Sequence, residues 1–469
     1  MMGFQVVVLW SDVLIWLLVA TGMGVGVLIA KNPQLLAAWR RVGANRIGIA
    51  SATVLLAFIL IGLLDSLHYR AQLGSKLGQK AVYGIEVLSA LDVLAAPLRL
   101  HNEKTYSEPF ATRLYAKESI DMPGQGTVRD FPRLKYGGRH LGEREDEVAA
   151  DAGFTAFKAG ALAFIGWLAV FGAIVTTINA PAGPRGGRGK SPILKLREAA
   201  FAWDAVLLTL LLMLLTIVPL FWLSGYYHVF GTDKVGQDVL YQILKSVRTG
   251  LIIGLVTTLV MLPMAVLLGI VAGYFRGWVD DLIQYIYTVL NSIPGVLLIA
   301  AAVLMMQVVI DTHPEWFSTA AERADLRLLA LCFILGITSW TGLCRLLRGE
   351  TLKLRELEYI QAAQAFGVSS WRIIVRHILP NLMHIVIISL VMDFSGLVLA
   401  EAVLSYVGIG VDPTMTSFGT MINNARMELG REPVVWWSLA AAFSAMFILV
   451  LAANLFADAV RDAFDPRAA

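Results

Sequence analysis

Residues 249–273, TGLIIGLVTTLVMLPMAVLLGIVAG, form an uncharged and almost wholly apolar stretch. A helix needs about 20 consecutive apolar residues to cross the hydrocarbon core of a bilayer, and this stretch is long enough. Comparable stretches recur along the chain, so the sequence predicts an all-α polytopic membrane protein with about nine transmembrane helices. The predicted spans are residues 6–30, 47–66, 154–178, 201–224, 249–273, 282–306, 327–346, 384–408 and 436–458.

The composition of the chain agrees with this prediction. Of its 469 residues, 57% are hydrophobic and only 16% are charged, which lies outside the ordinary range of soluble proteins. The net charge of +3 is too small to indicate a nucleic-acid partner. The two cysteines, Cys332 and Cys344, fall in one predicted helix about 18 Å apart, so they cannot pair with each other.

Basic residues collect in alternate connections between the predicted spans. They are Lys31, Arg40, Arg41 and Arg46 after the first span, Arg185, Arg188, Lys190, Lys195 and Arg197 before the fourth, Arg345, Arg348, Lys353, Arg355, Arg372 and Arg376 between the seventh and eighth, and Arg461 and Arg467 after the ninth. Short cytoplasmic connections are enriched in Lys and Arg, so the N-terminus is predicted outside and the C-terminus in the cytoplasm. The first span lacks a cleavage site, which favours a retained helix over a signal peptide.

Two stretches interrupt the pattern of spans. Residues 67–153 have mixed charge and are too long for a simple connector, so they are predicted to form an extracytoplasmic insertion. Residues 180–191, APAGPRGGRGKS, are typical of a flexible, basic cytoplasmic linker that touches anionic lipid. The predicted segments are 1–66 with N-terminal transmembrane helices, the insertion at 67–153, 154–224 with two additional transmembrane helices and the linker, and 225–469 as a compact core.

A polar, helix-forming segment lies between the seventh and eighth predicted spans. It comprises residues 359–381, YIQAAQAFGVSSWRIIVRHILPN. Gly367 predicts the end of a first short helix, and Ser369 with Ser370 predicts the start of a second one. Pro380 predicts a turn before the next span.

Two interpretations of this segment remain open. Ala362 and Ala363 are small, strong helix formers that let the surface of another protein approach closely, which indicates a docking helix. Alternatively, the segment is an amphipathic connector on the membrane surface, with Trp371, Ile374 and Ile378 among the lipid headgroups.

Two carboxylates lie inside the predicted span 384–408. Burying an ionised group at bilayer depth costs about 2.5–3.5 kcal/mol, so such groups normally face a polar interior. Asp393 and Glu401 lie about 80° apart around the helix and about 12 Å apart along it. Both are candidates for a translocation path, and a structural role within the bundle is an equally good interpretation.

Several further motifs carry a resemblance to a known family. They are GTDKVGQDV at 231–239, AGYFRGWVD at 272–280, LAEAVLSYVGIGVDP at 399–413, the tryptophan pair at 436–437 and NLFADAVRDAFDPR at 454–467. Together with segment 359–381, which resembles the EAA loop, they resemble the C-type permease subunits of dipeptide, oligopeptide and nickel ABC importers. The resemblance covers residues 225–467 well, so the N-terminal region is enlarged relative to this pattern.

The resemblance implies a fold and a set of partners. The fold is that of type I ABC importer permeases, in the inner membrane of a bacterial cell. The implied partners are a second, homologous permease, two cytoplasmic ATPase subunits and an extracytoplasmic solute-binding protein. ATP is hydrolysed by the partners, so this subunit is not an enzyme and needs no cofactor or metal. Short peptides are the expected substrates, and peptide antibiotics or nickel chelates are the alternatives within the family.

The resemblance also implies which residues touch the ATPase. The EAA loop carries a coupling helix that docks in a groove of that subunit. Carried over by position, the coupling residues are Tyr359, Gln361, Ala362, Ala363 and Gly367. Gln361 stands where the pattern often has Glu, which replaces a charged contact with a weaker neutral one.

Two other classes of function compete with this interpretation. A secondary transporter would use Asp393 and Glu401 as an ion relay, but the sequence shows no inverted repeat. A membrane-embedded enzyme would need a nucleophile with a base or a metal-binding set within the spans. The seven histidines form no such pattern.

Overall fold

The computed structural model describes residues 4–73, 82–122, 126–142, 144–179, 201–317 and 319–464. The predicted linker at 180–191 lies outside these residues. So do six of the basic residues on which the predicted orientation depends, namely Arg185, Arg188, Lys190, Lys195, Arg197 and Arg467.

The described residues are mainly helical. Helices α1 to α9 are Trp10–Lys31, Pro33–Ala44, Arg46–Asp65, Ala90–Leu94, Ala96–Leu100, Val148–Asn179, Trp203–Leu223, Val239–Phe275 and Trp278–Ser292. Helices α10 to α17 are Gly295–Thr312, Ala320–Ser339, Thr341–Arg355, Glu358–Ala365, Ser370–Ile373, Leu379–Tyr406, Phe418–Glu428 and Trp437–Phe464. Short 3-10 turns lie at Arg139–Leu141, Glu145–Glu147 and Pro314–Trp316, and a π-helical turn lies at Ile374–Ile378.

Within the described residues, nine helical segments are long and apolar enough to cross a membrane, which confirms the predicted number of spans. The predicted span 282–306 is wrong in its bounds, because the chain there forms α9 and α10 with a break between them. The cause is Pro294, which lacks an N–H and forces the preceding residue out of the helical region. Ile293 accordingly has extended torsions, with φ −92° and ψ 132°.

The described strands are short. They are β1 Phe4–Val7, β2 His68–Leu73, β3 Val82–Tyr83, β4 Leu88–Ser89, β5 Glu118–Met122 and β6 Gly126–Asp130. One sheet has the order β1-β2-β3, with β4 also pairing to β2, and β5 and β6 form an antiparallel pair. All but β1 lie within the predicted insertion at 67–153. The insertion is therefore folded, although the sequence analysis predicted no strands there.

The chain divides into two compact units, and each is considered by itself. The first comprises the described residues of Met1–Val6, Ile29–Arg248 and Thr416–Ala459. The second comprises those of Val7–Leu28, Thr249–Met415 and Val460–Ala469. The four predicted segments remain a prediction, because these units follow spatial contact rather than the order of the chain.

Helices α3, α6, α7 and α17 meet closely in the first unit. The indole Nε1 of Trp167 on α6 donates a hydrogen bond to the carbonyl of Leu207 on α7, at 2.8 Å. A methyl group added at Gly48 of α3 would lie 2.5 Å from the Cβ of Ala459 on α17. Small residues of this kind let membrane helices approach each other closely.

The second unit has a continuous apolar core. Its buried side chains come from α8, α9, the junction of α11 and α12, α12, α13, α14, the π-helical turn and α15. They include Met261, Tyr274, Tyr287, Trp340, Leu347, Ile360, Ile373, Ile378 and Leu382. This core extends from the spans into the short helix α13, which lies at the start of the predicted EAA-like segment. The helix is thus part of the packed unit.

The predicted turn at Pro380 is wrong. The chain continues from α14 through the π-helical turn directly into α15, with Pro380 in its first turn. A proline cannot donate to the carbonyl four residues earlier and its ring crowds that carbonyl, and the wider π-turn accommodates both effects. Ile374 and Ile378 are buried in the core, so the interpretation that placed them among lipid headgroups is wrong for these two residues.

Candidate functional site

Helix α13 ends in the way that the sequence predicted. Gly367 has a positive φ of 73°, a conformation that favours glycine. The amide of Val368 donates to the carbonyl of Ala363, and that of Gly367 donates to Gln364. This is the double hydrogen-bond pattern of a Schellman cap. The next helix begins at Ser370, with Ser369 in extended conformation before it.

One side of α13 is anchored and the other is exposed. Ile360 is completely buried in the core of the second unit, and Ala363 packs against that core. Tyr359, Ala362 and Phe366 are exposed and follow a spacing of three and four residues, so they share a face that does not include Ile360. The side chain of Phe366 is 87% exposed. An exposed aromatic residue of this size beside a small-residue patch has the composition of a docking surface.

Phe366 is a functional candidate that the sequence analysis missed. The residue-type pattern of the EAA-like segment pointed to Gln361, Ala362 and Ala363 and gave no weight to this position. A signal was available, because Phe366 is a large apolar residue directly before the helix-ending Gly367 and lies on a different face from Ile360. We define Tyr359, Ala362 and Phe366 as the α13 outer face.

A polar network fixes α13 to the ends of the spans around it. Tyr274, near the end of α8, accepts a hydrogen bond at its carbonyl from Arg355 at 2.7 Å and one at its hydroxyl from Gln364 at 3.3 Å. Gln361 donates from its amide to the backbone carbonyl of Glu356 at 3.3 Å and to the carboxylate of Glu356 at 3.4 Å. The Gln that replaces the usual Glu therefore avoids placing two carboxylates together at this point.

The turn between α8 and α9 belongs to the same network. Arg348 of α12 donates to both carboxylate oxygens of Asp280, at 2.5 and 2.7 Å. This hydrogen bonding outweighs the effect of burial and holds the pKa of Asp280 below its ordinary value. Arg276 pairs with Glu356 at the other end of the turn. The AGYFRGWVD motif thus holds the region that leads into α13.

Two glycines let α8 and α12 touch. A methyl group at Gly273 would lie 2.6 Å from Thr351 Cβ and 2.8 Å from the carbonyl oxygen of Arg348. At Gly269 it would lie 2.8 Å from the carbonyl oxygen of Cys344. The close contact makes these helices a stiff support for α13.

A second set of contacts connects α13 to α15. The hydroxyl of Tyr359 accepts a hydrogen bond from Asn381 at 3.1 Å, and its ring lies 6.0 Å from the ring of His377. A displacement of α13 therefore acts directly on the start of the long helix α15, which contains both intramembrane carboxylates.

Asp393 and Glu401 have different surroundings. Glu401 is only 1% exposed, and Ser405 donates a hydrogen bond to its carboxylate at 2.6 Å. Asp393 is half-buried, and no side chain in the described part of the chain bonds to it. Glu401 is thus held within the packed unit, and the assignment of both carboxylates to a translocation path stays a prediction.

The GTDKVGQDV motif has a structural task in the first unit. Thr232 donates to the carbonyl of Thr105 and accepts from the amide of Ser107, and its own carbonyl accepts from the indole of Trp437. The insertion and the motif thus form one folded body. Gly236 must be a glycine, because a Cβ there would lie 1.9 Å from the carbonyl oxygen of Glu103.

A buried charged cluster lies beside this motif. Asp238 lies 2.7 Å from Nδ1 of His228, and Glu103 lies 3.5 Å from Nε2, an ionic contact too long for a good hydrogen bond. Burial opposes a charge on the imidazole, but the two carboxylates outweigh it and raise the pKa of His228 to about 9. Burial also opposes ionisation of Glu103, but His228 and backbone amides outweigh it and lower its pKa.

No group of three or more metal-ligating side chains with suitable geometry occurs among the described residues.

Comparison with known proteins identifies the protein family. The profile of the family described as "Binding-protein-dependent transport system inner membrane component" matches residues 265–469. The glutathione transport system permease protein GsiD of Pectobacterium atrosepticum is 34% identical over 242 residues, which cover 51% of this chain and 73% of that protein. The chain belongs to this family.

Other relatives of this permease agree. The oligopeptide transport system permease protein OppC of Mycobacterium bovis is 32% identical over 242 residues, covering 52% of this chain and 77% of that protein. The dipeptide transport system permease protein DppC of Lactococcus lactis is 31% identical over 241 residues, covering 51% and 64%. The resemblance found in the sequence is thus confirmed, and the permease is a multi-pass inner-membrane transport subunit with an enlarged N-terminal region.

Proposed function

We propose that this permease forms half of the translocation path of an ATP-driven importer of short peptides. Its relatives are named as permeases for oligopeptides, dipeptides and glutathione, which is itself a small peptide. The second half of the path is a homologous permease. An extracytoplasmic binding protein delivers the peptide, and two cytoplasmic ATPase subunits hydrolyse ATP.

The observation that carries this proposal is the arrangement of α13. Its inner side is fixed by the buried Ile360, and its outer face exposes Phe366. A helix that is rigidly held on one side and apolar on the other can transmit displacement between a partner and the bundle. We assign the α13 outer face as the contact with an ATPase subunit, which places α13 and the C-terminus in the cytoplasm and the N-terminus outside.

Movement passes along two routes from this contact. One leads from Gln364 through Tyr274 to α8, and the other leads from Tyr359 through Asn381 to α15. Because both helices span the membrane, a displacement of α13 tilts them. In our proposal this tilting switches the path between its inward-open and outward-open states.

The insertion at 67–153 faces the binding protein in this proposal. Its integration with the GTDKVGQDV motif, through the contacts of Thr232, supports a role as part of the permease's outer surface. We propose that this surface is a platform on which the loaded binding protein docks.

Uptake by a Phe366→Asp variant tests the proposal. A carboxylate at the centre of the docking surface is expected to abolish ATP-dependent uptake of labelled short peptides, with normal amounts of permease in the membrane. The matched control is Phe366→Leu, which keeps an exposed apolar side chain at the same position and is expected to retain uptake. Unchanged uptake in correctly inserted Phe366→Asp, or in Ala362→Trp, would contradict the assignment of the α13 outer face.

A further inference from the structure

We propose that this permease binds one anionic phospholipid beside the coupling region, with an acyl chain in an apolar groove and the phosphate at Arg372 and Arg376. The site is distinct from the α13 outer face. It follows from the membrane location of the chain and from side-chain chemistry, and it goes beyond the proposed transport function.

The groove has the size and lining of a site for a lipid chain. Its volume is about 400 Å³, within the range of about 300–1,000 Å³ that small-molecule sites occupy. One wall comes from α8 and the other from the segment leading through the π-helical turn into α15. Its lining, which is wholly apolar among the described residues, includes Leu262, Val266, Ile270, Trp371, Val375 and Leu379.

A pair of cations borders this groove. Arg372 directly follows Trp371 and Arg376 directly follows Val375 in the chain, and because the two arginines are four residues apart they lie on the same side of this segment. Both arginines are exposed, and neither has an acidic partner in the described ranges. By contrast, Arg348 is committed to an ion pair with Asp280.

The groove lies near one end of a membrane span, so a lipid whose acyl chain fills it has its headgroup close to the membrane surface. The groove-lining residues of α8 lie in the C-terminal part of this membrane-spanning helix, which ends at Phe275. Trp371 is 62% exposed at the border of the groove, and tryptophan favours the interface between membrane and water. Cationic side chains at this depth attract anionic lipids.

The charges of the two arginines favour a lipid over a protein as the occupant of the groove. An apolar helix of another subunit, packed into the groove, would bring Arg372 and Arg376 against protein without a counter-charge, which is unfavourable. A phosphodiester supplies that counter-charge, and arginine binds phosphate in a bidentate manner. A neutral lipid would fill the groove but leave the arginines unpaired. The observations therefore favour an anionic phospholipid.

Photolabelling of the full-length permease in lipid nanodiscs tests the site. The probe is phosphatidylglycerol with a photoreactive acyl chain, compared with phosphatidylcholine that carries the same chain. We expect phosphatidylglycerol to label peptides 262–271 and 371–386 preferentially. The double variant Arg372→Gln/Arg376→Gln should lose about fivefold of this preference for each arginine. Arg345→Gln, which removes an exposed cation of α12, should retain it.

A second variant separates the contribution of the apolar groove to lipid binding from that of the two arginines. Leu267→Trp fills the apolar groove, which Leu267 lines with a 54% exposed side chain, and is expected to abolish labelling by both lipids. Equal labelling of the wild type by both lipids would overturn the proposal. So would a preference that survives in the double arginine variant, or capture of a neighbouring subunit in place of lipid. If the double variant fails to fold, the comparison of lipids on the wild type still decides.

Discussion

Arg348 holds the carboxylate of Asp280 with two hydrogen bonds, at 2.5 and 2.7 Å, and so joins α12 to the turn between α8 and α9. The two side chains are 24% and 11% exposed, so water competes only partly with this pair. The same turn leads to Tyr274, which contacts α13. The pair therefore stabilises the support of the α13 outer face and is not part of that face.

A double-mutant cycle on this pair measures that support. We expect Asp280→Asn and Arg348→Gln each to lower the melting temperature, with a coupling free energy of about 1.5–3 kcal/mol because the hydrogen bonds are charge-assisted. The pKa of Asp280 is lowered in the folded protein, so its contribution is complete at neutral pH and is lost only in acid, as the pH falls through that pKa. Additive single effects in thermal unfolding would contradict the pairing.

A substitution at Gly273 tests whether α8 and α12 are in close contact. In Gly273→Ala the new methyl group would lie within 3 Å of Thr351 and of the Arg348 carbonyl, so we expect a loss of about 1–3 kcal/mol. Gly349→Ala is the matched control, because no atom lies within 4 Å of its added methyl group. It should be neutral or stabilising by up to about 1 kcal/mol. Similar melting temperatures for both variants would show that the helices are not in contact at Gly273.

The raised pKa of the buried His228 predicts that the folded protein loses stability as the pH becomes alkaline. Its pKa is raised to about 9 in the folded protein, so its stabilisation is complete below the ordinary value of 6.5 and is lost as the pH rises towards 9. The loss amounts to roughly 3 kcal/mol for a shift of this size. Melting temperatures between pH 6 and 9.5 should fall more steeply for the wild type than for His228→Gln. Equal slopes would mean that the imidazole is not charged in the folded state.

Asp393 and Glu401 should respond differently to neutralisation. Asp393→Asn removes a carboxylate without a described partner, so uptake is expected to change while the melting temperature stays the same. Glu401→Gln disturbs a buried carboxylate that accepts a hydrogen bond from Ser405, so a loss of about 1–3 kcal/mol in stability is expected. The opposite pattern in parallel uptake and melting assays would reverse the two roles.

Features that depend on local sequence could be predicted. The nine spans follow from the length of the apolar runs, and the end of α13 follows from the glycine at position 367. The family motifs indicated which connection contains the candidate coupling helix. The turn predicted at Pro380 was wrong. Whether a proline ends a helix or is accommodated by a π-turn depends on the packing of Ile374 and Ile378 in the core, which the local sequence does not show.

Features that depend on distant contacts could not be predicted. Glu103 contacts His228 across more than a hundred positions of the chain, and nothing in its local sequence indicates burial. The strands of the insertion have mixed polarity and are only two to six residues long, which is too short for a clear alternating pattern. Phe366 became a candidate only when the structure showed that Ile360, on the same helix, is buried.

Cross-linking from the α13 outer face tests the central claim most directly. Cys332 and Cys344 are both completely buried, so a cysteine introduced by Ala362→Cys can be addressed selectively. In the assembled importer, we predict that this variant captures an ATP-hydrolysing subunit and that Ile85→Cys does not. Failure of Ala362→Cys to capture that subunit, or its labelling by a membrane-impermeant reagent from outside intact cells, would contradict the account.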